Sequence, residues 1–472
     1  MNFRDQGNQV SQTQEKAASP GVATRGFARN VLAVLGGQLS CAVVAIVVQV
    51  CLARLLGPAG RGQISLALMV IAFCGLLGGL GGELPLSCWT AAAKGKPLDW
   101  IPSVIWSGIA GSAVVISLVA LLYWKWDPAF LKGLSPALAT IALLSVPLNI
   151  FVSYFMALLT GLERFRIRAG LALSNQVLSL VCVLSLVFAF GKSSEMALLG
   201  TQLGLLFSAI ASGIFLRETL RGAWDVRRAG TRLAGSLSLG LRGMFGNLAT
   251  FFNYRLDVFV VNYFLDTTQV GLYAVGVLVT EALWQIPQAA ALALVPRTAR
   301  TMDEDATKFT CMVLRQVIFI SAVSGTIVAL LCPFLIPLVF GAKFSPSVAV
   351  IFWLMPGVVA LSAAKVISAD LAARGKPEYS MSFAFVALAV TVVLDFLLIP
   401  KMGIRGAALA SSVSYVLDSA LLLATLKYKF RISWKDLFIP AQNEFNVYQV
   451  ALLRCKSWFF QSPSPANASP LN

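Results

Sequence analysis

The chain of 472 residues contains no histidine, and only 12% of its residues are charged, against about 25% in soluble domains. The missing histidine removes the commonest general base and metal ligand. Eight cysteines form no CxxC pair, so we expect neither disulfides nor a metal site. The GKS at 191–193 lacks the glycine that a phosphate loop needs five residues earlier, where Leu186 stands. These absences predict a protein that is not an enzyme, with no catalytic residues, no bound metal and no cofactor.

Hydrophobic residues are abundant instead, at 58% of the chain. They occur in blocks of roughly 20, the length that crosses a hydrocarbon core about 30 Å thick. The sequence therefore predicts an all-α polytopic membrane protein with about 12 transmembrane helices. The predicted blocks are 30–53, 63–90, 101–123, 136–160, 170–190, 197–216, 241–264, 270–293, 313–340, 348–371, 379–400 and 404–426.

The net charge is +16, and the basic residues that cause it lie mainly on one side of the predicted membrane topology. Of the 37 Lys and Arg residues, 27 fall in the termini and in every second connection, and 8 fall in the others. Positive charge marks the cytoplasmic side, so we predict cytoplasmic N- and C-termini in a multi-pass protein of the inner membrane. Topology accounts for the charge, and we expect no nucleic-acid partner.

The longest polar connection divides the spans six and six, and an offset of 209 residues aligns LGGQL (35–39) with MFGNL (244–248). Such a parallel repeat predicts two six-helix lobes related by a pseudo-two-fold along the membrane normal. For the C-terminal tail, an amphipathic surface helix and a poorly ordered segment are both open interpretations. The predicted regions are a disordered cytoplasmic tail (1–28), an N-lobe (29–216), a linker (217–240), a C-lobe (241–426) and a cytoplasmic tail (427–472).

Ionisable residues inside spans are expensive and usually face a cavity or a partner. Arg255 and Asp257 lie two apart, so on a helix they do not face each other. We expect Lys365 and Asp370 to mark the cytoplasmic end of a span, and Asp395 to be a solvated helix end near the outer surface. The full set is Glu83, Arg255, Asp257, Glu281, Lys365, Asp370, Asp395 and Asp418.

Several segments, in order, resemble Wzx-type polysaccharide flippases of the multidrug/oligosaccharidyl-lipid/polysaccharide exporter superfamily. They are RLDVFVVNYFLDTTQVGLYAVGVLV (255–279), VQVCLARLLGPAGRGQISLAL (48–68), LAARGKPEYSMSF (371–383) and LDFLLIPKMGIRGAALASSVSYVL (394–417). The resemblance implies two six-helix bundles around a cavity that opens alternately to either side. It implies a substrate, undecaprenyl-pyrophosphate-linked oligosaccharide, which moves to the periplasmic leaflet. Expected partners are this lipid, membrane lipids, and a polysaccharide polymerase with other assembly proteins.

Transport of a lipid-linked sugar pyrophosphate suggests roles for particular residues. Arg matches phosphate through its planar fork of donors, so we predict that Arg255 contacts the pyrophosphate or the sugar. Asp257 or Glu281 is predicted to couple transport to an ion. The further predicted substrate-binding residues are Gln38, Asn247, Asn253 and Gln285.

Three alternatives stay open at this stage. Arg255 and an acid on a neighbouring helix could instead lock the fold together. A cation-coupled multidrug exporter of the same superfamily would use Asp257 and Glu281 for ion exchange. A non-transport scaffold for polysaccharide assembly would need no charged cavity.

Overall fold

The computed structural model describes residues 20–93, 99–126, 129–221, 224–228, 230, 232–300, 304–429 and 432–433, and it describes side chains from Ser40 onward except at 126, 129, 292–293, 296–297, 299–300 and 304–306. The regular elements in these ranges are helical, as the fold-class prediction requires. They are α1 (Pro20–Gly78), α2 (Glu83–Ala93), α3 (Ile101–Trp126), α4 (Pro136–Gly161), α5 (Phe165–Phe190), α6 (Ser194–Phe215), α7 (Leu233–Phe264), α8 (Thr267–Glu281), α9 (Gln285–Arg300), α10 (Glu304–Phe340), α11 (Ser347–Ala373), α12 (Pro377–Met402) and α13 (Ile404–Lys429).

Within the described residues, 10 helical stretches are long and apolar enough to cross a membrane. One of them, Ser40–Gly78, contains two predicted spans, because α1 is kinked at Gly57, whose φ of 69° and ψ of −176° are not helical. Helix α7 is not among the 10, since it carries Arg242, Arg255 and Asp257. When the two parts of α1 are counted separately and α7 is added, the total is 12 spans, which agrees with the predicted number of about 12.

The N-terminal boundary of α1 differs from the prediction. The helix begins at Pro20, so residues 20–28, which were assigned to a disordered tail, are helical. A proline is tolerated at the first helical position, because the N–H groups of the first turn have no intrahelical partner. The rest of that tail, residues 1–19, and the C-terminal tail from 434 lie outside the described residues.

The second predicted block, 63–90, is interrupted where it is richest in glycine. Helix α1 ends at Gly78 and α2 begins at Glu83. Gly81 has a φ of 65°, and a Cβ there would lie 1.9 Å from the carbonyl oxygen of Gly240 on α7. The hydroxyl of Tyr154 on α4 donates a 2.6 Å hydrogen bond to the carbonyl of Gly79 in the same connection. Close packing therefore requires glycine here.

The eighth predicted block, 270–293, is also two helices. Helix α8 ends at Glu281, a 3₁₀ turn covers Ala282–Trp284, and α9 begins at Gln285. The break precedes Pro287, which lies in the first turn of α9, where its missing N–H costs little. The turn places Glu281 and Trp284 at a helix junction within an apolar region.

The chain packs into two compact units. Unit 1 comprises the chain through Phe251 together with Asp266–Gly271, and unit 2 comprises Phe252–Leu265 and the chain from Leu272 onward. The boundary between them falls within α7. The predicted lobe limits at 217–240 remain a prediction.

Candidate functional site

Unit 2 contains an ion pair between two neighbouring helices. Nη2 of Arg255 on α7 lies 2.9 Å from Oε2 of Glu281, the last residue of α8. The side chains are 30% and 18% exposed, respectively. The other carboxylate oxygen, Oε1 of Glu281, is buried and accepts no hydrogen bond from the described residues. The pair is therefore partly open, with hydrogen-bonding capacity left unused.

Aromatic rings surround this ion pair on three helical elements. The rings of Tyr254 on α7 and Trp284 in the 3₁₀ turn have centroids 4.9 Å apart. Tyr415 on α13 lies 5.9 Å from Tyr254 and 6.5 Å from Trp284. The indole Nε1 of Trp284 is buried and donates to no acceptor among the described residues.

Lys365 on α11 completes this group. Its Nζ lies 4.5 Å from the ring centroid of Trp284 and 5.3 Å from that of Tyr254, which is cation–π geometry. Its charge is also within electrostatic range of Glu281. Glu281 thus lies between two cations. We call Tyr254, Arg255, Glu281, Trp284, Lys365 and Tyr415 the aromatic–cation cluster.

Asp257 has hydrogen-bond partners of its own, although the charges of Arg255 and Glu281 are within electrostatic range of it. It is 4% exposed, and one oxygen accepts hydrogen bonds from the hydroxyl of Tyr273 on α8 and, at 3.3 Å, from that of Ser411 on α13. Asp395 on α12 is within electrostatic range of Asp257. Burying two carboxylates together is costly unless a proton or a cation compensates their charge.

Asp395 was expected to be a solvated helix end, and that expectation is wrong. The residue is 0% exposed, and neither carboxylate oxygen has a hydrogen-bond partner among the described residues. Helix α12 continues to Met402, seven residues beyond Asp395, and buries this face against its neighbours. In the described part of the chain, no group of three or more His, Cys, Asp and Glu side chains could hold a metal ion.

The expectation that Lys365 marks the cytoplasmic end of a span stays a prediction. Helix α11 continues for eight residues to Ala373, about 12 Å at 1.5 Å per residue. Asp370 does lie in the last turn of α11, but it is completely buried. It accepts hydrogen bonds from Thr310 on α10 at 2.8 Å and from Arg374 at 2.7 Å. Asp370 therefore joins helices.

The structure brings only some of the predicted site residues together. Arg255 and Glu281 are in contact, whereas Asp257 accepts its hydrogen bonds from Tyr273 and Ser411. Asn253 is 5% exposed with an unpartnered Oδ1, and Gln285 is exposed at the start of α9. Asn247 belongs to unit 1, where it lines a cavity of about 350 Å³. The side chain of Gln38 lies outside the described residues.

Sequence reasoning did not identify Trp284, Lys365 or Tyr415 as parts of a site. Lys365 carried a usable signal, because it is a lysine inside an apolar span. An aromatic residue in an apolar segment carries no such signal, since most of these residues only pack. Only the contacts between α7, α11, α13 and the 3₁₀ turn reveal the group.

Residues 27–302 match the family described as "Polysaccharide biosynthesis protein", and this segment is more than half of the chain. The chain belongs to this family. Ten apolar helices and the family match identify it as a multi-pass membrane protein.

Two relatives with assigned names align over shorter segments. The "Probable low-salt glycan biosynthesis flippase Agl15" of Haloferax volcanii is 22% identical over 266 residues, which are 51% of this chain and 56% of the relative. The "Succinoglycan biosynthesis transport protein ExoT" of Rhizobium meliloti is 24% identical over 329 residues, 66% of this chain and 61% of the relative. The chain thus spans less than two thirds of the length of either relative.

Solved structures extend the likeness to the whole fold. The lipid II flippase MurJ in an inward closed conformation has a TM-score of 0.63 at 16% identity, covering 90% of this chain and 98% of MurJ. An inward-facing multidrug resistance MATE family transporter of the MOP superfamily has a TM-score of 0.58 at 13% identity, covering 83% and 98%. At these identities the likeness shows the fold alone. The family match confirms the predicted resemblance to polysaccharide biosynthesis proteins, and the solved structures confirm the predicted fold class.

Proposed function

We propose that this protein moves undecaprenyl-pyrophosphate-linked oligosaccharide from the cytoplasmic to the periplasmic leaflet of the inner membrane by alternating access, for surface or exopolysaccharide synthesis. The observation that carries the proposal is the aromatic–cation cluster in unit 2. Family membership, the superfamily fold and the printed names of the two relatives support the same activity. No chemical step on the substrate is part of this proposal.

The chemistry of the cluster suits a sugar-pyrophosphate head group. Arg255 has a partly exposed guanidinium, and Lys365 adds a second cation. Guanidinium binds phosphate through paired, charge-assisted hydrogen bonds. The rings of Tyr254 and Trp284 offer faces on which the apolar face of a sugar can pack. The unpartnered indole N–H of Trp284 and Oε1 of Glu281 can bond to hydroxyl groups.

Export of polysaccharide by variants in a deletion strain tests the role of Arg255. We expect Arg255→Ala to lower export about tenfold or more, because a lost charge-assisted hydrogen bond typically costs that factor in affinity. Arg255→Lys should retain part of the activity. Arg242→Ala, which removes an exposed arginine from the same helix, is the matched control. Membrane levels and Tm are measured for each variant.

A lock between α7 and α8 is the competing role for Arg255, and Glu281 separates the two roles. If the pair only holds the helices together, Arg255→Ala with Glu281→Ala should recover folding and export relative to either single variant. If Arg255 binds substrate, the double variant should fold but remain inactive. Lipid-linked oligosaccharide should then accumulate in the cytoplasmic leaflet. Full export by Arg255→Ala at normal membrane levels contradicts the proposal.

For ion coupling, the proposal favours Asp257 over Glu281, because Glu281 is already compensated by Arg255 and Lys365. Asp257 and Asp395 are buried within electrostatic range of each other, and Arg255 is within electrostatic range of Asp257, but neither acid forms an ion pair with a described residue. A proton or Na⁺ could enter and leave there as the helices rearrange. We expect Asp257→Asn to abolish the acceleration of transport by a pH or Na⁺ gradient in proteoliposomes.

The control for this prediction is Asp99→Asn, which removes an acid from an exposed ion pair with Arg228. It should leave the gradient dependence unchanged. An Asp257→Asn variant that still responds fully to both gradients contradicts the coupling role. Changed drug susceptibility on deletion, without accumulation of lipid-linked oligosaccharide, favours the exporter alternative.

A further inference from the structure

Unit 1 has a cavity of its own, about 350 Å³ in volume. It is formed by the connection that follows α1 and by parts of α2, α4, α5 and α7. Its polar lining consists of Glu83, Ser87, Ser153, Thr160, Arg168 and Asn247. Leu84, Met156 and Ala157 add apolar surface, so the cavity suits a ligand that has both polar and apolar faces. Ligand pockets commonly measure about 300–1,000 Å³, and this one has room for one or two head-group units.

Two opposite charges face this cavity without neutralising each other. The side chain of Arg168 makes no hydrogen bond or ion pair with any described residue, and the side chain of Asn247 likewise has no partner there. Glu83 uses one carboxylate oxygen to accept a hydrogen bond from Ser153, and no salt bridge connects it to Arg168. The side chains of Glu83, Arg168 and Asn247 are exposed, so a molecule in the cavity can reach them. These remain available to a ligand.

The cavity is positioned by tight packing of its walls. Gly81 lies directly against the backbone of Gly240, and Tyr154 is 2% exposed and bonded to the connection before α2. Glu83 and Ser153 are therefore held by two elements that cannot separate easily. A rigid wall with unpaired polar groups is what a preformed binding site requires.

We propose that this cavity binds the glycosyl-phosphate part of the lipid-linked substrate, as a recognition site in unit 1 distinct from the aromatic–cation cluster. Arg168 binds the phosphate, while Asn247 and the free oxygen of Glu83 bind sugar hydroxyls. A carboxylate disfavours a bare anion but accepts hydrogen bonds from a sugar. The pair of opposite charges therefore selects a phosphate that carries a sugar. The identity of the ligand rests on the proposed function.

The position of the cavity residues along the chain agrees with entry of the substrate from the cytoplasmic side. Thr160 and Arg168 flank the connection between α4 and α5, which the charge distribution assigns to the cytoplasm. In the proposed function, the substrate is assembled in the cytoplasmic leaflet. A recognition site at this end of the helices can select the head group before translocation.

A binding measurement on the purified full chain tests the site. The probe is a short-chain prenyl pyrophosphate carrying one hexose, compared with inorganic pyrophosphate and with free hexose. We expect Arg168→Ala to raise the Kd of the glycosylated probe roughly 10- to 100-fold, the usual effect of losing a charge-assisted hydrogen bond. Arg166→Ala, which removes an exposed arginine two residues earlier on α5, is the matched control. Both substitutions are also made in the Arg255→Ala variant, so that binding at the unit 1 cavity is measured separately from binding at the aromatic–cation cluster.

A second readout reports on the cavity itself. In a chain whose native cysteines are replaced, Met156→Cys places a thiol in the cavity wall. The glycosylated probe should slow its reaction with a maleimide, and Arg168→Ala should abolish this protection. Arg166→Ala should preserve it.

The outcomes distinguish a failure of the proposed unit 1 site from a failure of the proposed function. Protection of Met156→Cys that persists in Arg255→Ala supports a site in unit 1, even if export proves independent of Arg255. Equal protection by inorganic pyrophosphate and by the glycosylated probe overturns the roles of Glu83 and Asn247. Equal probe binding and export in Arg168→Ala, Arg166→Ala and the unmodified chain overturn the proposal.

Discussion

Asp370 shows how a charge inside a span can serve the fold alone. It is 0% exposed, and Arg374 is 9% exposed in its side chain. Besides Arg374, Asp370 accepts hydrogen bonds from Thr298 on α9 and Thr310 on α10. Its oxygens are therefore satisfied by two other helices and by the residue that follows α11. Asp395, by contrast, has no hydrogen-bond partner for either oxygen among the described residues, and Glu281 has none for Oε1.

We predict that Asp370→Ala destabilises the protein strongly without altering substrate specificity. Removing one member of a buried pair leaves the other charge uncompensated, at a cost of about 3–5 kcal/mol. Thermal unfolding in detergent should show a clearly lower Tm. The control, Glu218→Ala, removes an acid that is 62% exposed and paired with Arg221, and it should cost only about 0–1 kcal/mol. Equal Tm values for the two variants contradict this prediction.

At the level of single residues, the sequence predicted which groups are unusual better than what they contact. Periodicity placed Arg255 and Asp257 on different faces of one helix, and the structure agrees. It could not provide their partners, because Glu281, Tyr273 and Ser411 come from other helices. The expectation of a solvated helix end was wrong for Asp395, because neighbouring helices bury it.

Breaks within spans dominate the structure at the level of elements. Helix α1 bends at Gly57, the second span is interrupted before Glu83, and the eighth is interrupted at Ala282–Trp284. Irregular backbone inside a membrane is tolerated where protein or a cavity surrounds it. The two interruptions border the unit 1 cavity and the aromatic–cation cluster, so each candidate site lies at a helix break.

We predict that Gly81→Ala prevents correct folding, whereas Gly75→Ala does not. An alanine at 81 would need a left-handed conformation, and its Cβ would lie 1.9 Å from a backbone oxygen that cannot move alone. At Gly75 a Cβ meets nothing within 4 Å, and alanine favours the helix by about 0.5–1 kcal/mol. The yield of monodisperse protein and its Tm measure both effects. A well-folded Gly81→Ala variant would contradict the packing described for this connection.

The glycine-rich break coincides with GLLGGLGGELP (75–85), a run of glycines that disfavours a continuous helix. The break after Glu281 has no such signal, since Pro287 lies six residues further along the chain. A 3₁₀ turn needs no special residue type. Helix boundaries set by neighbouring helices can be found only once those neighbours are known.

For the whole molecule, the class of protein follows from composition and from the order of apolar blocks. Two kinds of information were beyond the sequence. The division of the chain into compact units depends on contacts, and it falls inside α7 instead of in a polar linker. The separation of Asn247 from Arg255 into different units likewise follows from contacts, although both lie on α7.

The predicted topology is tested by sided labelling of single cysteines in a chain without native cysteines. Lys192→Cys in unit 1 and Lys343→Cys in unit 2 lie in exposed turns that the charge distribution assigns to the periplasm. An impermeant maleimide should label both in intact cells. Arg166→Cys in unit 1 and Glu378→Cys in unit 2 are also exposed, and we expect labelling only after permeabilisation. Because each unit is sampled at both ends, labelling of Arg166→Cys or Glu378→Cys in intact cells would identify which unit contradicts the predicted orientation.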